Sequence, residues 1–191
     1  MIRTPQIPTL AEPKLIDLAL LEIQTALTAK LPWLNHAFGK AQRLKEERDG
    51  RIVIYPGVYA GSEDYLEVFP DSHIGNFSFF DVDDGEEMNG MNRASIAFEA
   101  KIGLVVWFDY RKVYPGDWQQ RSIENVKAEV IEALNTSAFR RSSVIFYKAW
   151  ERSESIYKGY SDKEIMQQFL MRPYGGLKIE FFIKYQEKPN C

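Results

Sequence analysis

The stretch Ala94-Ser95-Ile96-Ala97-Phe98-Glu99-Ala100-Lys101-Ile102-Gly103-Leu104-Val105-Val106-Trp107-Phe108-Asp109-Tyr110 decides the fold. Every second residue from Ile96 to Tyr110 is apolar, which is the two-residue period of a β-strand with one buried face. The positions between them carry most of the charges, including Glu99 and Lys101. Fifteen residues in strand geometry span about 50 Å. The pattern therefore predicts a long strand that bends or projects as one arm of a hairpin.

Further strand-like and helical segments surround this stretch. The strand-like segments are residues 51–55, 65–69, 77–82, 143–150 and 177–185, and the helical ones are residues 14–31, 122–134 and a third helix that starts at a capping box of Ser161 and Glu164. Consecutive strands joined by short turns are typical of an antiparallel sheet. The order predicts an α+β fold: a mostly antiparallel sheet with a long hairpin, with helices packed mainly on one face.

The first helix supplies the most specific packing prediction. Its apolar residues recur at steps of three and four, and the stripe consists of Ile16, Leu20, Ile23 and Leu27. This stripe should pack on the sheet that contains residues 94–110 and 177–185, because both surfaces are apolar. We expect one domain over residues 1–191, with residues 1–12 as an extended arm and residues 40–50 as a charged, exposed loop. Asn89-Gly90 predicts a turn.

Composition excludes several classes of protein. The chain has 191 residues, 24 basic and 27 acidic, for a net charge of −3. This balance gives no general attraction to nucleic acid or to an anionic membrane, so neither is an expected partner. The single cysteine, Cys191, cannot form an internal disulfide, and the first residues do not resemble a signal peptide. There is no transmembrane run of apolar residues, and we expect a cytoplasmic protein.

Metal and nucleophile sites are poorly supported by the residue pattern. His36 and His73 have no partner histidine at ligand spacing, whereas a zinc site needs three or four ligands. The acidic run that begins at Asp81 has glycine at the fifth position of a calcium loop instead of the sixth, so a solvated loop is the better interpretation. Cys191 has no base nearby in the sequence. We expect no catalytic, cofactor-binding or metal site and no enzyme activity.

One catalytic alternative stays open. Pro70-Asp71, followed by Glu99-Ala100-Lys101, resembles the signature of the PD-(D/E)xK nuclease family. That resemblance implies a magnesium ion held by Asp71 and Glu99, with Lys101 stabilising charge or activating water. Glu99 and Lys101 do share one strand face. The strand at 77–82 lies between the two halves of the signature, which argues against the alternative. We expect Asp71 and Glu99 to lie too far apart to share one ion.

A second resemblance covers most of the chain. It lies in Tyr55-Pro56-Gly57-Val58-Tyr59, in Tyr65-Leu66-Glu67-Val68-Phe69-Pro70-Asp71, in Gly75-Asn76-Phe77-Ser78-Phe79-Phe80, and in Pro173-Tyr174-Gly175-Gly176-Leu177-Lys178-Ile179-Glu180 with the ending at Cys191. These segments resemble a prophage-encoded group of small tail and neck proteins. The order of elements is similar to that of tail terminator proteins of long-tailed phages.

That resemblance implies a non-enzymatic structural subunit that forms a ring, meets tail or neck proteins, and is found in the host cytoplasm and in the assembled particle. The long strand and the extended arm suit contact between proteins, and we expect residues 77–110 to supply part of the contact. The rival interpretation is a host protein of the same fold with another role, because a fold does not fix a function.

Overall fold

The computed structural model describes residues 6–61, 64–82, 85–91 and 95–187. These residues form nine strands and four α-helices. In chain order they are α1 (Ile16–Lys30), β1 (His36–Lys40), β2 (Gln42–Arg48), β3 (Arg51–Gly61), β4 (Asp64–Glu67), β5 (Phe77–Val82), β6 (Glu87–Met91), β7 (Ile96–Asp109), α2 (Tyr110–Val113), α3 (Ile123–Asn135), β8 (Ser142–Trp150), α4 (Ser153–Ile156) and β9 (Tyr174–Glu187). The α+β class is confirmed.

A six-stranded central sheet organises the fold. Its strands lie in the order β1-β5-β7-β9-β8, and β6 also pairs with β7. The long strand predicted from the sequence is β7, and it pairs with β9 along its whole length, from Ile96 opposite Glu187 to Asp109 opposite Tyr174. Its first residues extend past β5 and pair with β6 instead. Every pairing is antiparallel except that of β1 with β5.

The helices α1 and α3 cover one face of this sheet, which we call the first face. Alternate residues of β7 and β9 form a core with the inward stripes of both helices. The residues that α1 buries there include Ile16, Leu20, Ile23 and Leu27. The predicted packing of the first helix on the sheet is therefore confirmed.

The opposite face, which we call the second face, carries a separate core. A three-stranded sheet of β2, β3 and β4 lies over it, together with α4 and two 3₁₀ turns. Aromatic side chains dominate this core, among them Phe77, Phe79 and Trp107. The rings of Phe77 and Trp107 stack with their centroids 5.7 Å apart. The sequence analysis did not predict this second cover, because the charged face of β7 was expected to be exposed to solvent.

The prediction of a charged, exposed loop at residues 40–50 was wrong. Residues Gln42–Arg48 form β2 and pair residue by residue with β3, from Gln42 opposite Gly57 to Arg48 opposite Arg51. The turn between them consists of Asp49 and Gly50, which have φ angles of 50° and 71°. Two consecutive positive φ angles are typical of the type I′ turn, in which Asp-Gly is a preferred pair. The aspartate-glycine pair was the missed signal.

The prediction of a third helix was also wrong. Residues Asp162–Glu164 and Gln167–Leu170 form only 3₁₀ turns. Ser161 does not cap a helix, because its Oγ accepts a hydrogen bond from the Ile54 N–H at 3.0 Å. Its own N–H donates to the Ile54 carbonyl oxygen at 2.7 Å. The serine therefore joins this segment to β3.

Two further predictions concern loops. Asn89-Gly90 lies inside β6 and not in a turn, since Gly90 pairs with Ala97 of β7. In the arm predicted at residues 1–12, Gln6 forms a parallel bridge with His36 of β1. Cys191 lies outside the described residues, as do residues 83–84 of the acidic run and residues 1–5 of the arm.

Candidate assembly interface

Strand β8 forms one border of the central sheet. It pairs with β9 on one side, and within the described part of the chain no strand pairs with its other side. Its apolar side chains are unusually accessible: Ile145 is 50% exposed, Phe146 37% and Tyr147 61%. The outward N–H and C=O groups of an edge strand can pair with a further strand. Apolar residues on such an edge favour contact with another protein.

A β-bulge divides this edge. Phe146 pairs with Phe181 and Lys148 pairs with Glu180, so Tyr147 is the extra residue. The ring of Tyr147 packs against Phe182, with centroids 5.8 Å apart, and the Lys101 ammonium lies 5.3 Å from the same ring. The bulge strengthens the local twist of the strand. It leaves a regular segment from Ser142 to Phe146 on one side.

The border of β8 is basic. Its exposed basic residues are Arg140, Arg141, Lys148 and Arg152. Among the residues that the structure describes, none of these four side chains forms an ion pair. The Lys148 ammonium lies 3.7 Å from the centroid of the Trp150 ring. The carboxylate of Glu22 lies at the start of this border, where it accepts hydrogen bonds from the Arg141 N–H and the Ser142 hydroxyl. Exposed cations without ion-pair partners along the rest of the border favour an acidic binding partner.

Strand β6 offers a second open edge of opposite charge. It pairs only with β7 among the described strands, and its Met88 side chain is 63% exposed. Glu87 lies directly opposite Glu99, and like charges at opposite positions disfavour pairing. Lys184 offsets the charge of Glu99 at 3.2 Å. Glu87 itself has no ion-pair partner among the described residues, so β6 presents an acidic edge.

The border formed by β1 differs from both of these edges. The Gln6 N–H donates to the Asn35 carbonyl oxygen at 2.9 Å, and the Ala37 N–H donates to the Gln6 carbonyl oxygen at 2.9 Å. The segment before α1 thus occupies part of the outer side of β1. Strands β6 and β8 are therefore the more accessible edges of the central sheet.

A buried ion pair lies under the small sheet. The Lys178 ammonium is 2.8 Å from the Asp81 carboxylate, and both side chains are only 2% exposed. Tyr160 donates a hydrogen bond to the same carboxylate at 3.0 Å, and Arg43 approaches it at 3.4 Å. The buried ammonium and the buried carboxylate neutralise each other, which is what a buried ionic group requires. Since these partners satisfy the carboxylate within the core, the cluster serves the fold.

Tyrosines around this core are held neutral. Burial raises the pKa of Tyr160, and the nearby Asp81 carboxylate raises it further. Burial alone raises the pKa of Tyr157, whose hydroxyl has no hydrogen-bond partner among the described residues. These shifts follow from desolvation, and they give neither phenol the lowered pKa of an activated nucleophile or base.

The three residues of the nuclease alternative do not form one site. Asp71 lines a cavity with Phe169, and the ring of Phe169 packs against Trp107. Glu99 lies eight residues from Trp107 along β7, which corresponds to about 26 Å. The Asp71 carboxylate accepts a hydrogen bond from the His73 N–H at 2.7 Å. Lys101 lies 3.5 Å from Glu180, so each residue has its own local partner.

The candidate metal ligands are also dispersed. Over the described ranges there is no group of three or more histidine, cysteine, aspartate or glutamate residues that could hold a metal ion. The ring of His36 stacks on that of Phe38 at 5.4 Å. His73 lies in the turn that Asp71 closes. No helix among the described residues is long and apolar enough to cross a membrane.

One apolar cavity of about 380 Å³ lies between α1 and the small sheet. Its lining includes Leu10, Ile16, Leu20 and Tyr59, and Asp17 contributes a carboxyl group. Burial raises the pKa of Asp17, although Lys40 opposes the shift. The cavity is large enough for a small apolar molecule. Asp17 and Lys40 are the two charged residues of its described lining.

Comparison with known proteins gave no match, either to a protein-family profile or to a curated protein.

Proposed function

We propose that this chain is a structural subunit that assembles with copies of itself. The observation that supports the proposal best is β8, an edge strand with accessible apolar residues on both of its faces. A protein that worked alone would be expected to cover such an edge, because unpaired strand edges invite association. The basic border of β8 and the acidic edge of β6 favour contact between proteins further.

The particle to which the subunit belongs is the finer part of the proposal. The resemblance to tail terminator proteins favours a ring on a phage-like tail tube, with tail or neck proteins as partners. The two open edges, at β6 and β8, suit a subunit that contacts two neighbours. The hairpin of β6 and β7 lies within residues 77–110, the region that the sequence analysis predicted to supply part of the contact.

The first experiment measures association directly. Sedimentation or light scattering over a wide range of protein concentrations should reveal assembly of the parent. Ile145→Lys should weaken it, because the charge would replace an apolar contact on β8. Ile52→Lys is the matched control: Ile52 is 72% exposed, but it lies on the small sheet. Equal assembly of all three proteins would remove β8 from the interface.

A second experiment addresses the hairpin and the partners. Deletion of residues 86–91 removes all of β6, and the shortened protein should fold but associate less well with itself and with co-expressed tail proteins. Far-ultraviolet circular dichroism and a thermal unfolding curve serve as the folding controls. If the parent binds neither itself nor tail proteins under any condition, the structural-subunit proposal is wrong.

A further inference from the structure

We infer that the copies associate head to tail, with β8 of one copy adding to β6 of the next to continue the central sheet. This inference rests on the proposed self-association, and it specifies the two surfaces and their register. Such a contact uses different surfaces on the two copies. It therefore leaves a free β6 at one end and a free β8 at the other, and repetition gives a ring or a filament.

Strand direction is compatible with this contact. Strands β7 and β8 are both antiparallel to β9, so they are parallel to each other. Strand β6 is antiparallel to β7 and hence to β8. When a second copy lies beside the first in the same orientation, its β6 meets β8 in the antiparallel sense. The new pair would therefore have the arrangement that most strands of the sheet already have.

The faces of the two strands restrict the register to alternate positions, and the chemistry of the side chains favours one of them. On β6, Glu87 lies opposite Glu99 on the second face, and Met88 lies opposite Phe98 on the first face. On β8, Lys148 pairs with Glu180 on the second face, and Phe146 pairs with Phe181 on the first face. If Tyr147 stays unpaired, as it does between β8 and β9, Glu87 lies opposite Lys148 and Met88 lies opposite Phe146. Both new pairs then share a face.

The chemistry of these two pairs is complementary. Glu87 and Lys148 are both exposed, and within the described residues neither has an ion-pair partner. In this register each supplies the charge that the other lacks. Met88 and Phe146 are both accessible, and a thioether against an aromatic ring is a favourable contact. An exposed charge and an accessible apolar side chain of each edge are thus used together.

Charge argues against the symmetric alternative, in which two β8 strands pair. That contact would place the four basic residues of one border near the same four of the other, with Glu151 as the one acidic residue between Arg140 and Arg152. Like charges brought together at an interface oppose association. Glu86 and Glu87 are both acidic, and β6 carries no basic residue. The β6 edge is therefore the electrostatically matched partner of β8.

A charge exchange tests the pairing. Lys148→Glu and Glu87→Lys should each weaken self-association by at least about tenfold, because each replaces an attraction by a repulsion. The double variant should recover most of the parent's association, since the pair is restored in reverse. Lys45→Glu, which makes the same charge change at an exposed site of the small sheet, should associate like the parent.

Mixing the single variants adds a test of polarity. The β8 edge of the Lys148→Glu variant should pair with the β6 edge of the Glu87→Lys variant, because the two substituted side chains carry opposite charges. The converse contact, between Lys148 of the Glu87→Lys variant and Glu87 of the Lys148→Glu variant, is the parent's own pair. The mixture should therefore form rings or filaments in which the two variants alternate, whereas each variant alone stays monomeric. Association of the parent without recovery in the double variant, or a mixture that stays monomeric or stops at dimers, would overturn the head-to-tail contact and leave self-association intact. A parent that stays monomeric at every concentration would overturn both proposals.

Discussion

The two faces of the central sheet are built on different principles. The first face packs aliphatic stripes of α1 and α3 against alternate residues of β7 and β9. The second face packs aromatic rings under the small sheet and encloses the ion pair of Asp81 and Lys178. The first core depends on filled volume, and each of its contacts can be weakened gradually. The second core also depends on the pairing of two buried charges, and a substitution either keeps this pair or breaks it.

Gly103 shows how closely the second core is fitted. A Cβ atom at this position would lie 2.1 Å from Cε of Lys178. Gly103 lies opposite Asp81 on one side and opposite Glu180 on the other. The missing side chain therefore leaves the path by which the lysine crosses β7 to reach the aspartate. A glycine such as Gly103 would be expected to weaken β7. The buried pair can form here because this position has no side chain.

The largest effect is expected when the buried pair is broken. Lys178→Met keeps the unbranched side chain up to the position of Cε but leaves the Asp81 carboxylate without its closest cation. Breaking such a pair costs about 3–5 kcal/mol of unfolding free energy. Urea unfolding measures this. Lys184→Met on the same strand removes only an exposed partner of Glu99 and should cost less than about 1 kcal/mol. Equal losses would show that burial does not distinguish the two lysines.

The first face should give a smaller and more graded response. Leu20 is buried in the core between α1 and the sheet. Leu20→Ala should lower the unfolding free energy by about 3 kcal/mol, through lost burial and the cavity left behind. Leu18→Ala, at a half-buried position of the same helix, should cost less. An unchanged melting temperature for Leu20→Ala would remove this helix from the core.

Gly103→Ala tests whether the second core can relax. The new methyl group would displace Lys178 from its path, and overpacking of this kind costs about 1–3 kcal/mol. Gly39→Ala is the matched control on β1, because its Cβ would make only an ordinary contact with Gln24 at 3.9 Å. Thermal unfolding of both variants provides the comparison. A parent-like Gly103→Ala variant would mean that Lys178 has a second route to Asp81.

The smallest effect concerns Tyr157 and appears mainly at alkaline pH. Burial raises the pKa of Tyr157 in the folded state above the value of about 10 in the unfolded chain. The stability that depends on the neutral phenol is complete below that value and is lost as the pH rises above it. Tyr157→Phe should therefore be within about 1 kcal/mol of the parent at neutral pH.

At alkaline pH the Tyr157→Phe variant should lose less stability than the parent, because it has one buried phenol fewer. Melting temperatures of both proteins, measured from neutral pH to about one pH unit above the ordinary tyrosine pKa, provide the test. Parallel curves for the two proteins would contradict the assignment of alkaline sensitivity to Tyr157.

The sequence predicted the first face better than the second for a physical reason. The apolar stripe of the first helix and the alternation in β7 each have a period that a single segment reveals. Lys178 lies in an alternating segment, Leu177-Lys178-Ile179-Glu180, which has the pattern of a strand with one solvent-exposed face. What buries Lys178 is a sheet formed by residues more than a hundred positions away. No local pattern carries that information.

The strand at the candidate interface was predicted, but its position in the sheet was not. Residues 143–150 were predicted as a strand, and β8 is found at Ser142–Trp150. Its place at the border of the sheet depends on strand order, and spacing within one segment does not encode strand order. Ile145, Phe146 and Tyr147 in succession break the alternation expected of a half-buried strand. That break was the available signal for exposure on both faces.

The pairing of β7 with β9 also has a consequence for the time course of folding. Asp109 pairs with Tyr174, 65 residues later, and the separation increases toward Ile96 and Glu187. Contacts this distant form slowly, because a long loop must close before any of them stabilises the chain. The hairpin of β2 and β3 needs only the turn at Asp49 and Gly50 and can form within microseconds. The β2–β3 hairpin can therefore form before the sheet that it covers. In that interval β7 is exposed and apolar, and refolding yield should fall as protein concentration rises.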